Sequence, residues 1–510
     1  MQSRREKFYR ILPYVVLLGA YIFSVAIYAR LGAHNLDADR SSEMILANLL
    51  NEEGRLLSEN WYYSTELRVV SPVPVYQLGL MLFDSWHYAR TFAIAVLLAG
   101  IAASFLYLMR SVGIGDAAVY CVACFILPIS WLSMFMFVYG QFYSVYFILI
   151  CMILGLMLRI DRNRIWNIIR IALIVVLSIW GGMQGVRLLM MCAMPLVLSV
   201  CVLMSQNICK SKSVRELLHA RESVYAILAL VICIGMCAGY LINTYVLSEH
   251  YTFKNFSQTL MYSLDFEEVA KQINYLPQYF GFENGVAFIS ADGLINAIAV
   301  LMVFVMVFSA CALVFRCKTL SAAERLFVWF AVFSVLLGIA VNSMTIYGNT
   351  SGKGSLSYYL PGLLLLISLA FICVDKSRMG MPGVKAAALL FMTTVFVLNS
   401  VHYIRKNMRV TDADYEVTAD WLIENGYQNG FTTFWNSSIL TEASDGYLQM
   451  YTFGTWKDTE LNPWLQEKEH LESLPEGKVF VFVPKLDKDV SLLAQDDHLI
   501  QQTADGWIYE

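Results

Sequence analysis

Asp37, Asp39, Arg40 and Glu43 fall in one short stretch, Leu36-Asp37-Ala38-Asp39-Arg40-Ser41-Ser42-Glu43. It directly follows the first apolar run, so these charges sit at the edge of a bilayer. A carboxylate there can act as general base, taking the proton from an acceptor hydroxyl or amine as a new bond forms. A guanidinium presents a rigid fork to a lipid phosphate and to the phosphate that departs. An inverting group transfer needs one base and a stabilised leaving phosphate, with no covalent intermediate. The bland alternatives are a helix cap for Asp39, a solvated charge for Asp37 and a snorkelling side chain for Arg40.

Residues 40–57 put apolar side chains at Met44, Ile45, Ala47, Leu49, Leu50 and Leu56, with polar groups between. This pattern predicts an amphipathic helix lying in the interface, capped by Asp39 or Ser41. Trp61, Tyr62 and Tyr63 suit the headgroup zone. Ser71-Pro72-Val73-Pro74-Val75-Tyr76 then breaks the helix before the next apolar run.

The chain is 58% hydrophobic and 15% charged, with mean hydropathy +0.56. That composition belongs to a polytopic membrane protein. A net charge of −4 gives no basis for nucleic-acid binding. Most cysteines lie in or beside apolar runs, without a disulfide framework or a paired zinc-ligand motif. Apolar runs predict about eleven membrane helices, near 11–29, 89–109, 116–138, 141–160, 165–182, 184–205, 223–247, 292–315, 325–347, 356–374 and 384–403. The first is read as a retained helix, since Ile27-Tyr28-Ala29 is a poor cleavage site.

Basic clusters orient these spans. Arg4/Arg5/Lys7, Arg159/Arg162/Arg164, Lys210/Lys212/Arg215/Arg221, Arg316/Lys318/Arg325 and Lys376/Arg378/Lys385 all fall on the N-terminal side. By the positive-inside rule that side is the cytoplasm of a cell membrane. Arg405, Lys406 and Arg409 run against the pattern. Loop 30–88, loop 248–291 and the tail 404–510 are then outside, where ATP and nucleotide sugars are absent, so a donor must be lipid-borne. The tail predicts a small α/β unit: a helix over 411–425 and strands at Phe431–Trp435 and Lys478–Val483. The expected division is a membrane domain, 1–403, and an extracytoplasmic domain, 404–510.

The first outside loop resembles that of the GT-C fold glycosyltransferases, which include protein O-mannosyltransferases and bacterial aminoarabinose transferases. Asp37, Arg40, Glu43, Gly54 and the proline-rich turn from Ser71 to Tyr76 stand at places corresponding to that family's acidic residues, arginine, helix end and turn. Arg90 resembles an arginine at the start of the family's second helix, and Ser357-Tyr358-Tyr359-Leu360-Pro361 resembles its late Tyr-Leu-Pro segment. The usual Asp-Glu pair is Asp37-Ala38-Asp39 here, and Ser71 replaces a lysine before the turn, for which Arg68 is the substitute. The resemblance implies an all-α polytopic membrane domain with a small extracytoplasmic α/β C-terminal domain. It also implies a transferase taking a sugar from a polyprenyl-phosphate donor to an acceptor (protein, glycan or lipid) outside the cytoplasm. Asp37 is then the favoured base and Asp39 the alternative.

Further candidates follow. Arg187, with Gln184 near the outer end of the sixth span, is either a donor-phosphate contact or a snorkelling charge. Lys353, in the glycine-rich loop Gly348–Gly354, and Tyr358 and Tyr359 are candidate substrate contacts. His34 with Asp37 and Asp39 would be the ligands of a divalent cation, but too few ligands converge to favour a metal; no other cofactor is indicated. Two rivals remain. A transporter or lipid flippase requires charges along several helices and an internal repeat, and neither is present. A non-catalytic membrane protein with a C-terminal binding domain predicts that Asp37→Asn is silent.

Overall fold

The computed structural model describes residues 2–34, 36–65, 67–139, 142–160, 163–209, 215–216, 220–253, 265–345, 352–377, 382–407, 415–456, 460–485 and 498–510, with side chains excepted at 2–9, 33, 34, 138, 139, 352–354 and 382. Its helices follow the apolar runs and stop where proline, glycine or a capping side chain intervenes. In chain order they are α1 (Gln2–His34), α2 (Ala38–Glu53), α3 (Val73–Leu82), α4 (Trp86–Val112), α5 (Asp116–Phe125), α6 (Trp131–Met134), α7 (Phe142–Leu158) and α8 (Arg164–Gly182). Next come α9 (Val186–Ile208, with a π-turn at Leu189–Ala193), α10 (Arg221–Leu241), α11 (Phe266–Tyr279), α12 (Ala291–Phe315), α13 (Ala322–Met344), α14 (Leu360–Asp375) and α15 (Pro382–Asn407).

Among the described residues nine helices are long and apolar enough to cross a membrane, or ten if the bent pair at Trp131–Phe137 and Phe142–Leu158 is one span. The expected third span, 116–138, is broken. α5 ends at Phe125, three residues before Pro128, whose ring would crowd the preceding turn. Ser130 then opens α6 through a reciprocal capping box with Ser133. α6 passes into a π-turn, Phe135–Tyr139.

The tail folds as an α/β unit. Helices α16 (Tyr415–Glu424) and α17 (Phe434–Ala443) flank five strands: β1 (Asn429–Thr433), β2 (Gln449–Phe453), β3 (Val479–Pro484), β4 (Leu499–Gln502) and β5 (Gly506–Tyr509). The sheet order is β2-β1-β3-β5-β4. β1 runs parallel to β2 and β3, while β5 is antiparallel to β3 and β4. β3 is central, which explains its nearly continuous apolar run. α15 continues to Asn407, past the expected division at 403.

The first long loop, the segment at Thr252 and the tail are laced together by backbone. Tyr62 N–H donates to Gln466 O (2.9 Å), Leu465 N–H to Tyr62 O (2.8 Å) and Tyr63 N–H to Thr252 O (2.9 Å). α2 therefore does not lie on lipid through its apolar face. Met44, Ala47 and Leu50 pack with Trp61, Tyr76 and Trp86 in one buried cluster. Trp61 is fully buried and Tyr63 nearly so. The tail covers the aromatic residues that the sequence places in the headgroup zone.

Candidate active site

The cap of α2 is Asp37, not Asp39 or Ser41. Asp37 has extended backbone (φ −139°) and its carboxylate accepts from Asp39 N–H at 3.1 Å, while Asp39 is already helical. Gly54 closes the helix at φ 64°, a left-handed position that costs glycine little. Asp37 is thus tied to the helix terminus, and Asp39, in the first turn, is reachable by solvent yet crowded by protein.

That crowding pushes the Asp39 carboxyl up to about 6, and the charge of Asp37 adds to the shift; Arg68 and Arg187 pull against it. Burial raises Asp37 as well, against hydrogen bonding and charge from Arg40. Burial pushes Glu43 up to about 7, opposed by Arg68 and Arg90 and reinforced by both aspartates. The expected catalytic residues and Arg40, Glu43, Arg68, Arg90 and Arg187 therefore share one electrostatic neighbourhood.

Arg68 and Arg187 meet on a single ring. The Arg68 guanidinium lies 4.0 Å from the Phe142 centroid and that of Arg187 lies 5.9 Å from it. Arg187 is also 5.9 Å from the Tyr358 ring. Arg68 stands 3.7 Å from Glu43. Two cations at one aromatic ring, with the Asp39 carboxylate coupled to both, make a place suited to a phosphate.

Local packing explains why Arg187 arrives there. α8 and α10 meet glycine to glycine: a Cβ on Gly182 would lie 2.0 Å from Met236 O, and one on Gly239 2.0 Å from Ile179 O. Gly185 then turns the chain at φ 76°. Asn243, in the π-turn Ile242–Val246, donates to Leu67 O (2.7 Å) and Met183 O (2.9 Å). It joins the segment carrying Arg68 to the turn carrying Arg187.

Arg40 and Arg90 face the other way. Arg40 is buried and donates from Nη1 to Gly32 O at 3.0 Å. Arg90 gives Nε and Nη2 to the two oxygens of Glu442, at 2.6 and 2.8 Å, and Nη2 also reaches Arg40 O at 3.2 Å. Burial pushes the Glu442 carboxyl up, but Arg90, Arg40 and the Ser41 hydroxyl outweigh it and hold it below the usual carboxylate value. Arg90 thus grips the tail rather than opening onto the Phe142 ring.

Tyr359 is buried against Gly338 of α13 and points into the bundle, whereas its neighbour Tyr358 faces Arg187. Lys353 lies, by its side chain, outside the described residues, as does His34. Among the described residues no three His, Cys, Asp or Glu side chains converge as a metal site; the charge of Asp39 and Glu43 is met by arginines. Phe142, Asn243 and Glu442 were not found by the sequence reading. Asn243, a lone amide in an apolar run, carried the one usable signal.

No protein-family model matches this chain, and no curated protein sequence does. Solved structures do. The crystal structure of ArnT from Cupriavidus metallidurans bound to undecaprenyl phosphate matches at a TM-score of 0.54 and 11% identity, over 98% of this chain and 97% of that one. The Archaeoglobus fulgidus oligosaccharyltransferase, tethered to an acceptor peptide containing the NVT sequon, matches at a TM-score of 0.50 and 11% identity. That match covers 87% of this chain and 64% of the oligosaccharyltransferase, so this chain spans less than two thirds of its length. Identity at this level carries the fold: the chain is a multi-pass membrane protein with the GT-C fold, bearing a small C-terminal α/β unit.

Proposed function

We propose that this protein is a glycosyltransferase that moves a sugar from a polyprenyl-phosphate donor to an acceptor, with inversion, on the outer face of the cell membrane. In this reading the N-terminus is cytoplasmic, the membrane domain runs to the end of α15 at Asn407 rather than to 403, and the α/β unit that follows is the outer domain. Asp39 takes the acceptor proton as the acceptor oxygen or nitrogen bonds to the anomeric carbon. The bond from that carbon to the phosphate oxygen breaks, and polyprenyl phosphate leaves as an anion steadied by Arg68 and Arg187. Asp37 caps α2 and keeps Asp39 in its first turn.

The observation that carries this reading is the meeting of Arg68 and Arg187 on Phe142, both coupled to Asp39. The undecaprenyl phosphate on ArnT agrees with a lipid-phosphate leaving group. Asp39 replaces Asp37 as the favoured base because Asp37 is held at the helix terminus as its cap, while Asp39 is the aspartate coupled to both Arg68 and Arg187. Proteoliposomes carrying labelled polyprenyl-phosphate sugars and a panel of acceptors supply the test, with wild type, Asp37→Asn and Asp39→Asn compared. Transfer unchanged in both variants would reject the assignment.

A further inference from the structure

A cavity of about 260 Å³ opens between the outer ends of α12 and α15, α6 and the end of α11. It is small beside drug-sized pockets, which begin near ~300 Å³, and of a scale with one monosaccharide ring. We infer that it binds a neutral sugar ring, an inference that goes beyond donor chemistry and does not depend on the transferase reading.

Its lining is what a ring of hydroxyls and C–H faces requires. Trp131, 39% exposed, offers an accessible aromatic face beside Tyr403. Gln278, Glu283, Asn399 and Asn407 add amide and carboxylate groups. Asn399 is the strongest element. It is 2% exposed and its Nδ2 donates to Phe280 O at 3.1 Å. That bond fixes the amide orientation, so Oδ1 is the atom left over, buried and without a partner among the described residues. A buried acceptor without a donor costs about 1–3 kcal/mol. Asn399 lines the cavity, but Oδ1 has almost no accessible surface, so a ligand hydroxyl satisfies it once the amide shifts toward the cavity.

Charge argues against an anion. Lys406 pairs with Glu283 and stands 3.8 Å from Asp292. His402 Nε2 lies 2.8 Å from the same aspartate. Lys406 is already matched by the carboxylates of Glu283 and Asp292, so a phosphate gains no net attraction, while an uncharged polyol needs none. A helix also links the cavity to the segment that carries Tyr358. Six residues before Gln278 on α11, Gln272 accepts from the Ser355 hydroxyl at 2.8 Å, in the segment that carries Tyr358. Six residues of helix rise about 9 Å, so the cavity lies close to the Arg187 site without being part of it.

The test is equilibrium dialysis of labelled methyl glycosides (gluco, manno, galacto and arabino) against the full-length protein in nanodiscs, with inorganic phosphate as the comparison probe. At least one glycoside should bind saturably, and Trp131→Ala should weaken it about tenfold, equivalent to 1.4 kcal/mol. Asn399→Leu should also weaken it, and Asn407→Ala supplies a milder variant should Asn399→Leu misfold. Asp39→Asn should leave this binding within about twofold, since Asp39 is outside the cavity. The proposal is overturned if no glycoside binds saturably, if Trp131→Ala binds like wild type, or if Asp39→Asn abolishes binding. Phosphate binding that is lost in Lys406→Met would likewise overturn it, as an anion site.

Discussion

Arg90, in the first turns of α4, holds both carboxylate oxygens of Glu442, 352 residues later in the tail, while its Nη2 also reaches the carbonyl of Arg40. One buried guanidinium therefore fastens α17 to α4 and to the helix that carries Asp39. Such a pair contributes little net stability against an apolar substitute, but removing one partner leaves a buried charge and costs about 3–5 kcal/mol. Glu442→Ala is expected to lower the thermal midpoint sharply. Arg90→Met with Glu442→Met should recover much of the loss, because no charge is then stranded. A double variant as unstable as Glu442→Ala would show that the pair is not the source. The Glu442 pKa is depressed, so its contribution is complete above the ordinary carboxylate pKa and lost as pH falls through the lower folded value. The gap between wild type and Glu442→Ala should stay constant from pH 8 to 6 and close only below about pH 4.

Glu43 carries the opposite sign. Its carboxyl is raised from 4.5 to about 7, so the folded state holds the proton more tightly than the unfolded chain. Below 4.5 both states are protonated and no penalty arises. As pH climbs through 7 the folded state must ionise a buried acid, and stability is lost. The bound is on the order of 3 kcal/mol. Glu43→Gln, which imitates the protonated acid, should melt like wild type near pH 4.5 and at a higher temperature at pH 8. Equal midpoints at pH 8 would refute the burial argument.

A base that titrates at about 6 leaves a kinetic trace. With Asp39 as base, kcat/KM should rise through pH 6 and level off above 7, since only the carboxylate accepts a proton. Asp39→Asn should lose about 10²–10⁴-fold in turnover. Asp37→Asn should lose less, because asparagine caps a helix as well as aspartate does. Arg187→Ala removes a charge that stabilises the ionised form, so its rising limb should move to higher pH. A limb that stays in place would uncouple Arg187 from Asp39.

Much of this architecture is legible along the chain, because hydropathy and caps are local. The apolar runs, the Gly54 stop, the break before the second long helix and the β3 strand all follow from neighbours in sequence. Failures came where a distant contact decides. Pro128 alone does not announce that α5 will stop short, since prolines are tolerated in membrane helices. Trp61 reads as an interfacial aromatic until the tail segment at Gln466 lies over it. Arg90 reads as a phosphate contact because its partner, Glu442, sits in another unit and leaves no periodic trace. Arg68 and Arg187 stand out as charges at a boundary, but only folding shows them sharing the Phe142 ring.

Asn243 is the test of whether that sharing is built or incidental. Its amide donates to carbonyls on both segments, Leu67 beside Arg68 and Met183 before Arg187, from a nearly buried position. Asn243→Leu keeps the volume approximately and removes both donors. Met183 O then loses this donor, Leu67 O keeps only the Val69 N–H at 3.1 Å, each lost bond costs about 1–3 kcal/mol where water cannot replace it, and the two arginines are no longer tied. The expected outcome is a raised KM for the polyprenyl-phosphate donor with a smaller change in kcat, because both arginines and the Asp39 carboxylate are still present and only the arginines' placement loosens. Asn243→Gln, longer by one methylene but still a donor, should recover part of the affinity. If Asn243→Leu instead lowers kcat and leaves KM alone, the amide acts on the chemical step, and its role as a tie between the arginines is wrong.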